Sequence, residues 1–387
     1  MKTIRALAKR FLMIVIPFLM FSTLSVSSHA RSAETLPPPS KDQTIMLALL
    51  LDTSNSMDGL IDQAKSQLWK IVNELAAAKC NDGSRPNIKI ALYEYGNDNL
   101  PASEGYIRQV NGLTDDLDLI SEKLFALSTN GGAEFCGYVI KTSLSQLAWS
   151  ASKADLKMIF IAGNEPFTQG GVPFREACAL AKEKGVVVNT IFCGSYNEGL
   201  STDWKSGADV TGGTYMSIEQ DKKTVYIPTP YDERIDACND RLNSTYVYYG
   251  TTGAYKKENQ VSQDMNAESY SKENKVERAV SKSSHAYKNS TWDLVDATKD
   301  NEKVLLETKD DDLPKEMKGM TMEQRKTYIK QKSEERKTIQ VEIQSLNKKR
   351  LEYIASHAPQ GNKEAMLDAA MINAIKQQAK TKDLTWQ

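Results

Sequence analysis

Apolar positions in this chain follow two rhythms. Residues 45–51 are apolar without a break and stop at Asp52, and 156–162 and 186–192 are nearly so. Runs of that length predict strands buried on both faces of a parallel sheet. Residues 88–95 alternate more, 215–218 form a last short strand, and 106–110 predict a short antiparallel strand at an edge. Between the strands the spacing becomes helical. Leu60, Ala64, Leu68, Ile71, Val72 and Leu75 predict a helix over 58–79. Thr114, Asp115 and Asp116 precede a helix carrying Leu117, Leu119, Ile120, Leu124 and Leu127, which fits an N-cap. Helices follow the Gly131-Gly132 turn, over 173–184, and over 204–210. Strands alternating with helices predict an α/β fold, a doubly wound, mostly parallel sheet flanked by helices, over 43–230.

Near residue 230 the pattern changes. Residues 231–387 are charged, poor in β-branched residues, and read as a helical region. Thr321-Met322-Glu323-Gln324 offers a capping box for a long helix reaching about 356. Its stripe of Ile329, Ile339, Ile343, Leu346 and Tyr353 is interrupted by Lys332, Arg336 and Arg350. That makes a weak coiled-coil or helical-hairpin seam, and packing against neighbouring helices of the same chain is the favoured reading. After Gly361 a last helix holds Met366, Leu367, Met371, Ile372 and Ile375.

The beginning of the chain reads as an export signal. Lys2, Arg5, Lys9 and Arg10 precede an apolar stretch, and Ser28-His29-Ala30 offers small residues for cleavage after position 30. Residues 31–42 then form a proline-rich tether. Cleavage would remove those four cations and no anion, taking the formal net charge from −1 to −5. A mildly acidic surface argues against nucleic acid as the main partner. No later stretch is long and apolar enough to span a membrane, so the expectation is an exported protein, periplasmic or at the cell surface.

Chemistry concentrates at the end of the first strand. Asp52-Thr53-Ser54-Asn55-Ser56 places a carboxylate and two hydroxyls at alternate positions just before a helix. In parallel sheets ligands bind at the carboxyl ends of strands. Hard oxygen donors suit Mg²⁺, or Mn²⁺ or Ca²⁺, and not zinc or copper. The plain alternative is that Asp52 and the serines cap the following helix. Here the sequence resembles the von Willebrand factor A (vWA) family, over about residues 43–220. The resemblance implies a metal-ion-dependent adhesion site of pattern Asp-x-Ser-x-Ser and a vWA/Rossmann-like fold. It also implies a protein ligand whose acidic residue completes the metal shell. Two departures stand out. Where the family has a Thr after two glycines, Gly131-Gly132 is followed by Ala133-Glu134, so Thr129 or Glu134 must substitute. Where it has Thr-Asp-Gly after the fourth strand, this chain has Gly163-Asn164-Glu165, leaving Asn164 or Glu165 for that role.

The remaining signals bound the function. Cys80, Cys136, Cys178, Cys193 and Cys238 are odd in number, so at least one is unpaired. Cys136, Cys178 and Cys193 fall near the metal rim, where a disulfide between two of them would brace it; small buried hydrophobes are the alternative. Tyr93, Tyr95, Trp149, Tyr196 and Trp204 are candidate rim aromatics, or core. Residues 43–230 contain no histidine, and no Walker A, GxGxxG or Gly-x-Ser-x-Gly motif occurs. With Ser at position 54 an aspartyl-phosphate mechanism is disfavoured. The sequence therefore points to a binding protein mediating divalent-cation-dependent protein–protein interaction or adhesion, and not to an enzyme. The alternatives are an assembly scaffold working through its C-terminal helices and a metal-dependent hydrolase.

Overall fold

The computed structural model describes residues 43–223, 226–357 and 366–386. The expected export signal and tether lie outside them. Strands are β1 (Thr44–Asp52), β2 (Ala78–Lys79), β3 (Asn87–Tyr95), β4 (Ile107–Thr114), β5 (Leu156–Gly163), β6 (Val187–Cys193), β7 (Tyr215–Ile218) and β8 (Thr385–Trp386). The main sheet has six strands in the order β4-β3-β1-β5-β6-β7. All pairs are parallel except β3 with the edge strand β4. The antiparallel edge is thus where the sequence placed it, and it runs longer, to Thr114.

Helices α1 (Asp58–Ala76) and α2 (Leu117–Phe125) lie over one face of the sheet, and α3 (Cys136–Gln146), α4 (Phe174–Glu183) and α6 (Trp204–Thr211) over the other. A further short helix, α5 (Tyr196–Ser201), precedes α6. Strand β1 shows why it is apolar throughout. Ile45, Leu47, Leu49 and Leu51 enter the core shared with α1, while Ala48 and Leu50 enter the core shared with α3. Asp52 has the parity of Ala48 and Leu50. Its side chain therefore belongs with Tyr95 and Cys136 on the α3 side.

The C-terminal region comprises α7 (Asp232–Asn243), α8 (Gly253–Tyr270), α9 (Lys272–Lys282), α10 (Leu294–Asp300), α11 (Lys303–Glu307), α12 (Met322–His357) and α13 (Leu367–Ala379). It is not an appendage. Ile235, Leu242, Ile339, Ile343, Leu346, Met371 and Ile375 join Leu60, Trp69 and Leu75 of α1 in one hydrophobic core. Strand β8 pairs with β2, just after α1. The capping box of α12 forms as the sequence predicts: Thr321 N donates to Gln324 Oε1 at 2.8 Å and Gln324 N to Thr321 Oγ1 at 3.3 Å.

The stripe of α12 is not interrupted by solvent-facing charge at Arg336 and Arg350. Both guanidiniums are buried and paired, Arg336 with Asp293 and Asp296, Arg350 with Asp232 and Glu277. The helix therefore packs on helices of its own chain, not as a coiled-coil seam. A similar pairing ties the helical region to the α/β part: Arg278 of α9 meets Asp118 of α2 at 2.6 Å and covers the Trp69 ring of α1 at 4.4 Å. Among the described residues no helix is long and apolar enough to cross a membrane.

Candidate functional site

The parallel register brings the site together. Asp52 sits beside Tyr95 across the β1–β3 pair, and Leu51 beside Ala162 across β1–β5. The carboxyl ends of three strands thus supply Asp52, the Gly96-Asn97 turn and the Gly163-Asn164 turn. The loop after β1 is pinned from both sides. Thr53 N donates to Tyr95 O at 2.9 Å, and Asn130 N donates to Thr53 O at 3.0 Å. Asn97 Nδ2 bridges Thr53 O and Ser128 O at 3.3 and 2.9 Å.

Asp52 is fully buried, and its Oδ1 accepts the Ser54 N–H at 2.8 Å. Glu134, 3% exposed, arrives from the loop before α3, where its N–H donates to Gln169 Oε1 at 2.6 Å. Its carboxyl contacts that of Asp52. One oxygen of each carboxyl, Asp52 Oδ2 and Glu134 Oε2, is buried without a hydrogen-bond partner. Burial, followed by the Glu134 carboxyl, holds the Asp52 carboxyl well above its usual range, against the Ser54 N–H. Burial, with charge from the same pair, also raises Tyr95, Cys136 and Cys193. Two carboxyls in one dry place require a shared proton or a cation.

The cradle is shaped by glycine. Gly96 has φ +78°, and a Cβ there would stand 2.7 Å from Asp52 Oδ1 and 2.8 Å from Glu134 Cγ. A Cβ on Gly163 would stand 3.0 Å from Asp52 Oδ2 and 2.6 Å from the Tyr95 hydroxyl. That hydroxyl donates to Ala162 O at 2.9 Å and lies 3.8 Å from Cys136 Sγ, forming the floor beneath Asp52.

From this buried pair a string of oxygens leads outward. Ser54 Oγ lies 3.1 Å from Ser56 Oγ, and Ser56 Oγ donates to Asn164 Oδ1 at 3.3 Å. Five of the sequence candidates are thereby linked: Asp52, Ser54, Ser56, Glu134 and Asn164. The other two side chains join none of these contacts. The Thr129 hydroxyl donates to the Asp58 carboxylate. Glu165 is exposed, and its carbonyl holds the Trp204 indole N–H at 2.8 Å. Among the described residues no three His, Cys, Asp or Glu side chains gather as a metal group. The donor set is instead two carboxyls, two hydroxyls and an amide oxygen. Hard oxygens of this kind, two of them orphaned and buried, fit a hard divalent cation.

The rim carries neither a disulfide nor a row of aromatics. All five cysteines are free and buried, packing as small apolar groups, so the expected brace does not form. Tyr93, Tyr95 and Trp204 are core residues, and Tyr196 is exposed. The sequence places Gly96 and Asn97 at the end of a strand and Gly163 beside Asn164, but assigns these residues and Gln169 no role in the site. Only the glycine directly after a strand at Gly96 gave a readable signal.

No protein-family model matches the sequence, and no curated protein matches it. Several solved structures are similar over a little under half of this chain. The conserved hypothetical protein BatB from Bacteroides thetaiotaomicron is 16% identical over 45% of this chain and 90% of its own, with a TM-score of 0.34. The SpRpn10 VWA domain is 17% identical over 45% of this chain and 87% of its own, TM-score 0.34. Proximal thread matrix protein 1 from the mussel byssus, solved with a zinc-occupied MIDAS motif, is 14% identical over 47% of this chain and 43% of its own, TM-score 0.34. The fold itself is established by the strand order, the single antiparallel edge and Asp52 at the end of the central strand. The α/β part of this chain is a doubly wound, mostly parallel sheet with one antiparallel edge, of the vWA/Rossmann-like α/β class.

Proposed function

We propose that this chain is a divalent-cation-dependent protein-binding module acting at the carboxyl end of β1. Asp52, Ser54, Ser56, Glu134 and Asn164 would hold Mg²⁺, Mn²⁺ or Ca²⁺. The cation would supply a positive centre for an acidic side chain of a partner protein. One observation carries the reading: Asp52 Oδ2 and Glu134 Oε2 are both buried without a hydrogen-bond partner, on two carboxyls that meet. A cation between them relieves both orphans and the mutual repulsion that raises Asp52.

Glu134 brings the site more carboxylate than a serine–threonine shell would. More charge on the protein side tightens the cation and weakens its pull on an incoming acidic group, so affinity for the partner should be modest. A binding role suits the histidines as well. His285 Nε2 lies 3.2 Å from Pro86 O, at the amino end of β3, and His357 stacks on Tyr353. His285 thus lies at the end of β3 opposite the rim. The signal-like start of the chain supports action outside the cytoplasm, in the periplasm or at the cell surface.

The test is thermal unfolding of the chain with and without Mg²⁺ or Mn²⁺, in wild type and Asp52→Ala. A cation-dependent rise in midpoint that vanishes in the variant is expected. A midpoint indifferent to both cation and chelator overturns the reading. A pull-down from native envelope with Mn²⁺, repeated with chelator, then separates partner capture from cation binding.

A further inference from the structure

Away from the rim, a chemically competent group of side chains gathers where α7 and α9 end. Asn243 is the last residue of α7 and Lys282 the last of α9. Lys282 is fully buried; its Nζ donates to Oδ1 of Asn243 and, at 2.8 Å, to Oδ2 of Asp264 on α8. The same Asp264 oxygen accepts from Asn243 Nδ2 at 2.8 Å and from Asn239 Nδ2 at 3.1 Å. Asp264 Oδ1 accepts from Arg278 Nε at 2.9 Å. An amine, a carboxamide and a carboxylate thus close a ring. In it the carboxylate touches both nitrogens, the one that would attack and the one that would leave.

We propose that Lys282 and Asn243 condense into an intramolecular isopeptide bond, with Asp264 moving the protons. Lys282 Nζ attacks Asn243 Cγ, which is one bond from the oxygen it already contacts. The Nζ–Cγ bond forms and the Cγ–Nδ2 bond breaks. Asp264 accepts a proton from Nζ and delivers it to Nδ2, which departs as ammonia. Amine plus primary amide gives secondary amide plus one ammonia, with nothing oxidised or reduced.

Three features favour the step. Burial drives the Lys282 ammonium toward the free amine, opposed by Asp264 and assisted by Arg278. Burial would raise Asp264, but Lys282 and Arg278 outweigh it, so it stands as a carboxylate bridging the two nitrogens. The reactants are held in contact by two helix ends, with Lys282 fully buried and Asn243 partly so, and the orientation a bimolecular reaction lacks is already supplied. Leu242 and Ala279, both fully buried, flank the pair. The product would tie α7 to α9 across 39 residues in a chain whose five cysteines are all free.

Mass spectrometry decides the matter on the purified full chain, with its N-terminus fixed by sequencing. The wild-type mass should fall short of the sequence mass by one ammonia. A protease digest should yield a branched peptide joined through Lys282 and Asn243. Lys282→Arg, which keeps the charge, should regain the full mass, and Asp264→Ala should form the bond ~10²-fold more slowly or worse. A wild-type chain of full sequence mass overturns the proposal. So does the loss of ammonia without a branched peptide, which would mark an asparagine reacting with its own backbone.

Discussion

Arg336 forks onto Asp293, with Nη1 2.7 Å from Oδ2 and Nη2 3.1 Å from Oδ1, and both side chains are almost wholly buried. The fork also lies 4.0 Å over the Tyr246 ring, and Arg336 Nε donates to Thr245 Oγ1 at 3.0 Å. Asp293 in turn caps α10 through Asp296 N and accepts Val247 N at 2.7 Å. Removing the arginine would strand a buried carboxylate. Arg336→Ala is expected to lose about 3–5 kcal/mol of unfolding free energy, read by urea denaturation. The paired change Arg336→Met with Asp293→Asn should lose much less, because it leaves no unpaired charge.

At the rim, Glu134→Gln and Asp52→Ala should part company. Replacing Glu134 by its amide removes one of two abutting carboxyls. Without cation the variant should therefore melt higher than wild type, while its response to Mg²⁺ or Mn²⁺ shrinks. Asp52→Ala should lose the response altogether. Differential scanning calorimetry with and without chelator reads both. A Glu134→Gln variant that melts lower in chelator would contradict the crowding of the two carboxyls.

Gly96→Ala probes the cradle without touching a ligand. Its backbone is left-handed, and the added methyl would press on both carboxyls. A loss of roughly 1–3 kcal/mol in stability is expected, together with a weakened cation response. Gly83→Ala, also left-handed but with nothing near its Cβ, controls for backbone strain alone. It should lose stability and keep the cation response.

Stability should also change with pH through Lys257. Burial lowers its ammonium from 10.5 to about 8. Its Nζ donates to Asn243 O and lies 5.1 Å over the Tyr246 ring. Between the two values the unfolded chain holds a proton that the folded chain has released. Unfolding then takes up a proton, so stability rises with pH across that window, by at most about 1.4 kcal/mol per pH unit. Lys257→Met should flatten the rise relative to wild type in chemical denaturation at stepped pH. An identical slope in both proteins would refute the assignment.

Deleting the helical region should not leave an intact metal-binding domain behind. Met371 and Ile375 of α13 and Ile343 and Leu346 of α12 share one core with α1. Truncation before α7 is expected to expose that face and to yield aggregation or molten behaviour in near-ultraviolet circular dichroism.

Much of the α/β part was readable because its signals are local. Unbroken apolar runs at 45–51 and 156–162 became the central strands, and Asp52-x-Ser54-x-Ser56 fell at a strand end as its pattern required. The carboxylate pair was only half legible. Glu134 stood out as a departure after Gly131-Gly132, but its meeting with Asp52 depends on a loop packing against Gly96. Arg336 and Arg350 were read as breaks in a stripe, because a sequence shows a charge and not its partner. Asp293 and Asp232 lie 43 and 118 residues away from them. Asn243, Asp264 and Lys282 carried no motif at all; three helix packings place them together.

The free cysteines carry a consequence of their own. Each is 9% exposed or less, and none is bonded to another. A fold held in this way is indifferent to reductant, so passage between reducing and oxidising surroundings leaves its native contacts unchanged. Its thiols become reachable only as the cores on the two faces of the sheet open. Alkylation of native protein should then proceed at the pace of unfolding, turning five silent side chains into a built-in chronometer for the loss of structure.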